Sequence, residues 1–506
     1  MLFKRLFLFL LGLAISSLAL AQSLPSLTPP GAAAGLYTRN LAIKKPFFID
    51  FQTEWNRLGI AEALQDMLAE DNELTDEDVE LMGEIFSLDL VGREGIFVIY
   101  PNGDVFALAR PAAGHVDEFI ALLDNAMENP EASHGWKLDR AAEDGDNPLV
   151  VGHNGEILLF GTEGAVDRFL SGDRGMKPPV EGDLAFWIDA QYLWPLLENS
   201  GLELPPEAVQ AIKTIGGVSW ALDIQEEGVS TRSRVPILPD QDPELARILL
   251  PSDHAWPLGD LPVGVGVSSF TFDLAAFGDY ATGLARAFGM DDLQLDLSAF
   301  GNHLALIDAG TNNPQEALQN PLGNLLVILE TRDTLTAEVT LLTWMQMLAG
   351  FSTPEGSGGF SVEALEVNGM PAKKLNIGMV GDLFLVTGSD RLYLATSKRA
   401  LDLLANDSSL AGEPGFRKLA QNHLADRYSS ASFTDNRKSL EQLADMLPFM
   451  MLQTVSDPEA QAATYELTQK YAQFLKFVAQ RLGPGISYQQ VQGNDLISFG
   501  FTEVTW

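Results

Sequence analysis

The chain has 506 residues, 46% of them apolar, with 32 Lys and Arg against 69 Asp and Glu, no Cys, and a formal charge of −37. That length suffices for a large core. The charge excludes a nucleic-acid or anionic-lipid binder, which needs a basic stripe. The cysteine count excludes disulfides, thiol redox chemistry and Cys-ligated metals.

Lys4 and Arg5 precede an apolar run from Leu6 to Ile15, and Ala19-Leu20-Ala21 places small residues where a signal peptidase reads them. The pattern predicts a signal peptide over 1–21, because the run is shorter than the ~20 apolar residues of a membrane span. Cleavage near Ala21 leaves an exported, periplasmic or extracellular chain of charge −39, and no later uninterrupted apolar stretch predicts a transmembrane segment. A Pro/Ala-rich lead over 22–35 follows.

Four apolar runs end in Asp ahead of a helical pattern: Phe47-Phe48-Ile49-Asp50, Phe186-Trp187-Ile188-Asp189, Phe270-Thr271-Phe272-Asp273 and Ser432-Phe433-Thr434-Asp435. Each reads as a strand whose terminal Asp caps the next helix, the carboxylate accepting from exposed N–H groups at the positive end of the helix dipole. A second correspondence runs from Gly155 to Phe169 and again from Asp390 to Leu404, at an offset of 235, as strand, turn and short helix with Thr162 or Ser397 as the cap. Val105 to Ala109 with the helix His115 to Met127 parallels Asn324 to Leu329 with Thr336 to Leu348. Gly217-Val218-Ser219-Trp220 and Gly485-Ile486-Ser487-Tyr488 each open a closing hairpin, turning at Glu226-Glu227-Gly228 or at Gln492 to Asp495.

These matches keep their order. They predict an α+β chain of two similar tandem halves, 36–240 and 255–506, joined by a linker over 241–254 that follows the break beginning at Pro236. Each half is expected to be a mostly antiparallel or mixed sheet with helices mainly on one face. The second half carries longer helices, Leu440 to Val455 and Pro458 to Leu482, the latter opened by the capping box Ser456-Asp457-Pro458-Glu459 and closed at Gly483. Phe449, Met450, Tyr471, Phe474 and Phe477 on these helices form a candidate groove for an apolar ligand, with ordinary helix-to-sheet packing as the competing reading.

No catalytic motif is found: there is no G-x-S-x-G elbow, S-x-x-K pair, H-E-x-x-H helix or phosphate-binding Lys loop. Gly264-Val265-Gly266 reads as the start of a strand. His115, His134, His153, His254, His303 and His423 stand singly, and the acidic groups at Asp76 to Asp78, Glu143 to Asp146, Asp240 to Asp242 and Asp291-Asp292 lack the ligand spacing of a calcium loop. No metal or cofactor is therefore expected.

The signal peptide, the strand and turn of Leu158 to Glu163 or Tyr393 to Lys398, and the strand-Asp-helix of Phe186 to Asp189 or Phe433 to Asp435 resemble a family of exported bacterial proteins of unknown function with a duplicated α+β unit. The resemblance implies a bacterial source and an extracytoplasmic location, and carries over no catalytic residue. The expected function is a non-enzymatic binding or scaffold protein of the cell envelope, whose partner is another protein or an envelope component. A carrier of an apolar ligand in the second half and a hydrolase with an unrecognised carboxylate site are the alternatives.

Overall fold

The computed structural model describes residues 23–39, 47–60, 94–111, 116–127, 129–140, 148–192, 205–288, 295–311, 323–352, 360–377, 381–406, 408–454 and 458–506. Two compact units can be told apart. The first holds residues up to 200 with 217–233 and Trp506, and the second holds 201–216 and 234–505.

The first unit's strands are β1 (Ala34–Thr38), β2 (Glu94–Ile99), β3 (Val105–Arg110), β4 (Glu131–Ser133), β5 (Trp136–Arg140), β6 (Leu149–His153), β7 (Leu158–Thr162), β8 (Leu184–Asp189), β9 (Gly217–Ile224) and β10 (Gly228–Pro236), the last of which runs on into the second unit's residues from Arg234. They pair in the order β10-β9-β8-β1-β2-β3-β7-β6-β5-β4, antiparallel from β9 to β4. Its helices are α1 (Phe47–Arg57), α2 (Val116–Ala126) and α3 (Glu163–Leu170).

The second unit runs through β11 (Gly266–Thr271), β12 (Phe300–Asp308), β13 (Leu325–Thr331), β14 (Ser361–Val367), β15 (Met370–Asn376), β16 (Asp382–Thr387), β17 (Arg391–Ala395), β18 (Ser430–Thr434), β19 (Leu482–Gln492) and β20 (Asp495–Val504). Their pairing order is β20-β19-β18-β11-β12-β13-β17-β16-β15-β14, antiparallel throughout. Strand for strand, this is the order of the first unit. Its helices are α4 (Pro206–Lys213), α5 (Pro243–Leu249), α6 (Leu274–Ala287), α7 (Thr334–Ser352), α8 (Lys398–Asp402), α9 (Pro414–His423), α10 (Asn436–Thr454) and α11 (Pro458–Ala479). The chain is thus α+β with antiparallel sheets, and no described helix is long and apolar enough to cross a membrane.

Helices do not keep mainly to one face, as the sequence suggested. In β3, Phe106 and Leu108 pack with Trp136, Val166 and Phe169 on one side, while Ala109 packs with Leu123 and Met127 of the α2 region on the other. A strand buried on both faces reads as a continuous apolar run, and Phe106-Ala107-Leu108-Ala109 is one. In the second unit, Ala400, Leu401, Phe416 and Leu419 cover one side of the sheet, and Ala337 and Met345 of α7 pack with Phe300 and Leu385 on the other.

Two of the four expected strand-Asp runs, those ending in Asp273 and Asp435, fold as read; at Asp189 the strand ends as expected in a short turn over Ala190–Tyr192, and the helix expected from Leu193 lies outside the described residues. Asp273 accepts from the Ala276 N–H at the start of α6 (3.0 Å), Asp435 accepts from the Lys438 N–H (3.1 Å), and Asp189 accepts from the Gln191 N–H (3.2 Å). The first is a correction: Phe47 to Asp50 opens helix α1, and the first strand is β1, upstream. A four-residue apolar run carries no period, and Phe51 and Trp55 stack one turn apart on the helix. The helix expected from Pro458 to Leu482 ends at Ala479, because Leu482 and Gly483 already belong to β19. The capping box at Ser456-Asp457 lies outside the described residues, as do the acidic groups at 76–78, 143–146 and 291–292.

The offset of 235 is also corrected within the strands. Gly161 lies opposite Phe106, and Ala395 lies opposite Leu326, so β7 and β17 correspond at 234, whereas the helix residues Ala165 and Ala400 keep 235. The extra residue is Ser397. In the first unit Thr162 ends the strand and precedes the helix, and its hydroxyl donates to Asp104 (2.7 Å) rather than capping. In the second unit the two tasks are divided: the Thr396 hydroxyl donates to the Gly323 carbonyl (2.8 Å), and Ser397 accepts from the Ala400 N–H (3.1 Å). Ser397→Ala is therefore expected to cost about 1 kcal/mol, read as a lower urea midpoint for the second unit.

Candidate functional site

At one end of the first unit's sheet, Glu94 of β2 and Arg110 of β3 face each other directly. Their nitrogen and oxygen atoms lie 2.5 Å apart, and each side chain is 8% exposed. Glu94 Oε1 accepts two more bonds, from the Tyr37 hydroxyl (3.0 Å) and from the backbone N–H of Leu24 (2.9 Å). Burial, and then the charge of Glu94, push the Tyr37 phenol well above its ordinary range. The carboxylate is thereby committed to structure, fixing the helical turn Leu24–Leu27, whose Leu24 is fully buried.

The second unit places a different pair at the same position. Ala34 of β1 faces Ile99, and Gly266 of β11 faces Asp308, so Glu94 and His303 each lie five residues back along the neighbouring strand. His303 Nδ1 is 2.8 Å from Glu330 Oε2 on β13, and Nε2 is 2.9 Å from the carbonyl oxygen of His254. Glu330 Oε2 also accepts from the backbone N–H groups of Asn302 (2.8 Å) and His303 (3.2 Å). Partial burial works against the charge on Glu330, but these bonds and the His303 ring outweigh it and hold the carboxyl below its usual range.

What this cluster holds is a strap of chain, Pro251 to Leu258, that precedes β11. The Asn302 amide donates to Asp253 (3.0 Å), the Ala255 N–H donates to the Tyr428 carbonyl (2.9 Å), and the Leu258 N–H donates to the Tyr428 hydroxyl (2.9 Å). Trp256 stacks on the His303 ring at 5.5 Å, and the Arg391 guanidinium lies 4.4 Å from the Trp256 ring. The strap residues Pro251 to His254 form one wall of an open recess of about 400 Å³, completed by Arg427, Tyr428, Ser429, Gln490 and Val491.

The residues singled out in the sequence fall elsewhere. Phe474 is buried on α11 and stacks with Phe477 at 6.3 Å, the Arg481 guanidinium covers Phe477 at 3.9 Å, and Tyr471 is half-buried with its phenol shifted upward by burial. The side chains of Phe449 and Met450 lie outside the described ones. Asp242 caps α5, accepting from the Glu244 and Leu245 N–H groups, and takes the Tyr280 hydroxyl at 2.7 Å. His153 closes β6 against Asp124 (2.9 Å), beside the Asn154-Gly155 turn read from the sequence. Among the described residues no three His, Asp or Glu side chains converge as metal ligands.

Sequence reasoning passed over Glu94, Arg110 and Glu330, and took His303 as one of six histidines that stand singly. The signal was incomplete: Arg110 follows the predicted strand Val105 to Ala109 and Glu330 follows Asn324 to Leu329, but no strand over 94–99 or 300–308 is predicted to pair with either.

No protein family and no curated protein matches this chain. Solved structures of TP0453 in crystal forms IV, I and III align with TM-scores of 0.23, 0.22 and 0.22 and identities of 13%, 12% and 11%, covering 47%, 43% and 42% of this chain and 88%, 79% and 79% of theirs. At those scores the likeness carries no argument.

Proposed function

We propose that this chain is a non-enzymatic binding or scaffold protein of a bacterial cell envelope, exported by removal of its first 21 residues and built from two copies of one α+β unit. The observation that supports it best is what the charged side chains do at corresponding places. Glu94 holds the Leu24 N–H, and His303 holds the His254 carbonyl, so in each unit the ionisable groups gathered at the sheet end fasten a leading strap. A carboxylate committed as Glu94 is, to Arg110, Tyr37 and Leu24, is poorly placed to exchange protons with a substrate. The common strand order supports the two copies, and the burial of Leu24 supports a mature chain whose fold starts close after Ala21.

The test is native mass spectrometry of the protein purified gently from its own host, with N-terminal sequencing. The expected result is a chain starting at Gln22, either bare or bound to another polypeptide. An intact leader would overturn export, and a stoichiometric apolar passenger would replace this reading with the carrier, directing attention to Tyr471, Phe474 and Phe477.

A further inference from the structure

We propose that His303 is a proton-operated clamp that sets the wall of the recess in the second unit. Both neighbours of its ring are acceptors: a carboxylate oxygen of Glu330 at Nδ1 and a backbone carbonyl at Nε2. A neutral imidazole carries one N–H, so both contacts are hydrogen bonds only when the ring is the doubly protonated cation. The equivalent position in the first unit is filled by Glu94 against Arg110, a carboxylate and guanidinium pair with no imidazole in it. Of the two corresponding pairs, only the second contains a histidine, the side-chain type suited to a proton-operated switch.

The geometry decides which bond is lost. Keeping the proton on Nδ1 preserves the charge-assisted bond to Glu330, whereas keeping it on Nε2 would set a ring lone pair against a carboxylate. Deprotonation therefore leaves the Nε2 lone pair facing the His254 carbonyl, and attraction becomes repulsion at the strap. The charged and titratable groups around the ring are Glu330 on β13, Arg332 through Asn302, Asp253 and His254 on the strap, and Arg391 beyond Trp256. The other imidazole in this set is that of His254, which meets His303 through its backbone carbonyl and not through its ring. The strap is thus fastened at acid pH and loosened above neutrality. Ser252, Asp253 and His254 line the recess, so its shape follows.

The test compares backbone amide protection of Ala255 and Leu258, corrected for intrinsic exchange, at about pH 5.5 and pH 8 in the full mature chain. Loss of one bond to a charged donor predicts a fall of about tenfold at the higher pH. His303→Gln, which has no titrating ring, is expected to abolish the difference, and His254→Asn, which keeps the carbonyl, is expected to preserve it. Imidazole ¹⁵N shifts of the unaltered protein provide a readout independent of any variant's folding, with both His303 nitrogens protonated at the lower pH and Nε2 bare at the higher. Equal protection at both pH values, a pH response that survives in His303→Gln, or a neutral His303 ring at the lower pH would overturn the proposal.

Discussion

Arg110→Met is expected to destabilise the first unit by about 3–5 kcal/mol, because it strips the cation from a buried pair and leaves the carboxylate behind. Glu94 is 8% exposed on its side chain, and what remains to it from Tyr37 and Leu24 is two hydrogen bonds in place of a direct ion pair. The loss should spread to the leading turn, since the Leu24 N–H, the Tyr37 hydroxyl and Arg110 all converge on one carboxylate. Hydrogen exchange under urea at the β2 and β3 amides measures it. The paired replacement Glu94→Leu with Arg110→Met is expected to recover most of the stability, because the cost lies in the uncompensated charge rather than in the loss of the pair. A loss below about 1 kcal/mol for Arg110→Met would instead mean that Glu94 reaches water in the folded state.

The parts of the fold legible in the sequence were those with local causes. Asp273 and Asp435 announce helix starts because a cap is made within three residues of itself, and the closing hairpins show in Gly228 and Gly493 at their turns. Register was not legible: one added residue at Ser397 shifts the strand correspondence from 235 to 234, and in a strand one residue exchanges the two faces. Phe47 to Asp50 was misread because apolar character without a period does not separate strand from helix. The candidate site stayed hidden because its bonds span the chain. His303 reaches Glu330 across 27 residues and the His254 carbonyl across 49, so each histidine looked solitary in the sequence.

The same long-range logic governs Gly35, and it yields a prediction whose sign depends on a second residue 152 positions away. Gly35 of β1 faces Trp187 of β8, and a Cβ at Gly35 would collide with Cζ2 of the indole. A strand glycine of this kind marks a close approach rather than a turn. Trp187 is 3% exposed within the first unit's core, so its ring has no free space to retreat into. Gly35→Ala is expected to cost about 1–3 kcal/mol by overpacking, and Trp187→Ala about 3–5 kcal/mol by the cavity it leaves. In the Trp187→Ala background the Gly35→Ala change should reverse sign and stabilise by about 0.5–1 kcal/mol, because the obstruction is gone and Ala loses less backbone entropy than Gly in a strand. Urea unfolding of the four members of this cycle gives the coupling directly. Additive costs would mean that Gly35 is required by its backbone, and a reversal would show that β1 lacks a side chain there to make room for the indole.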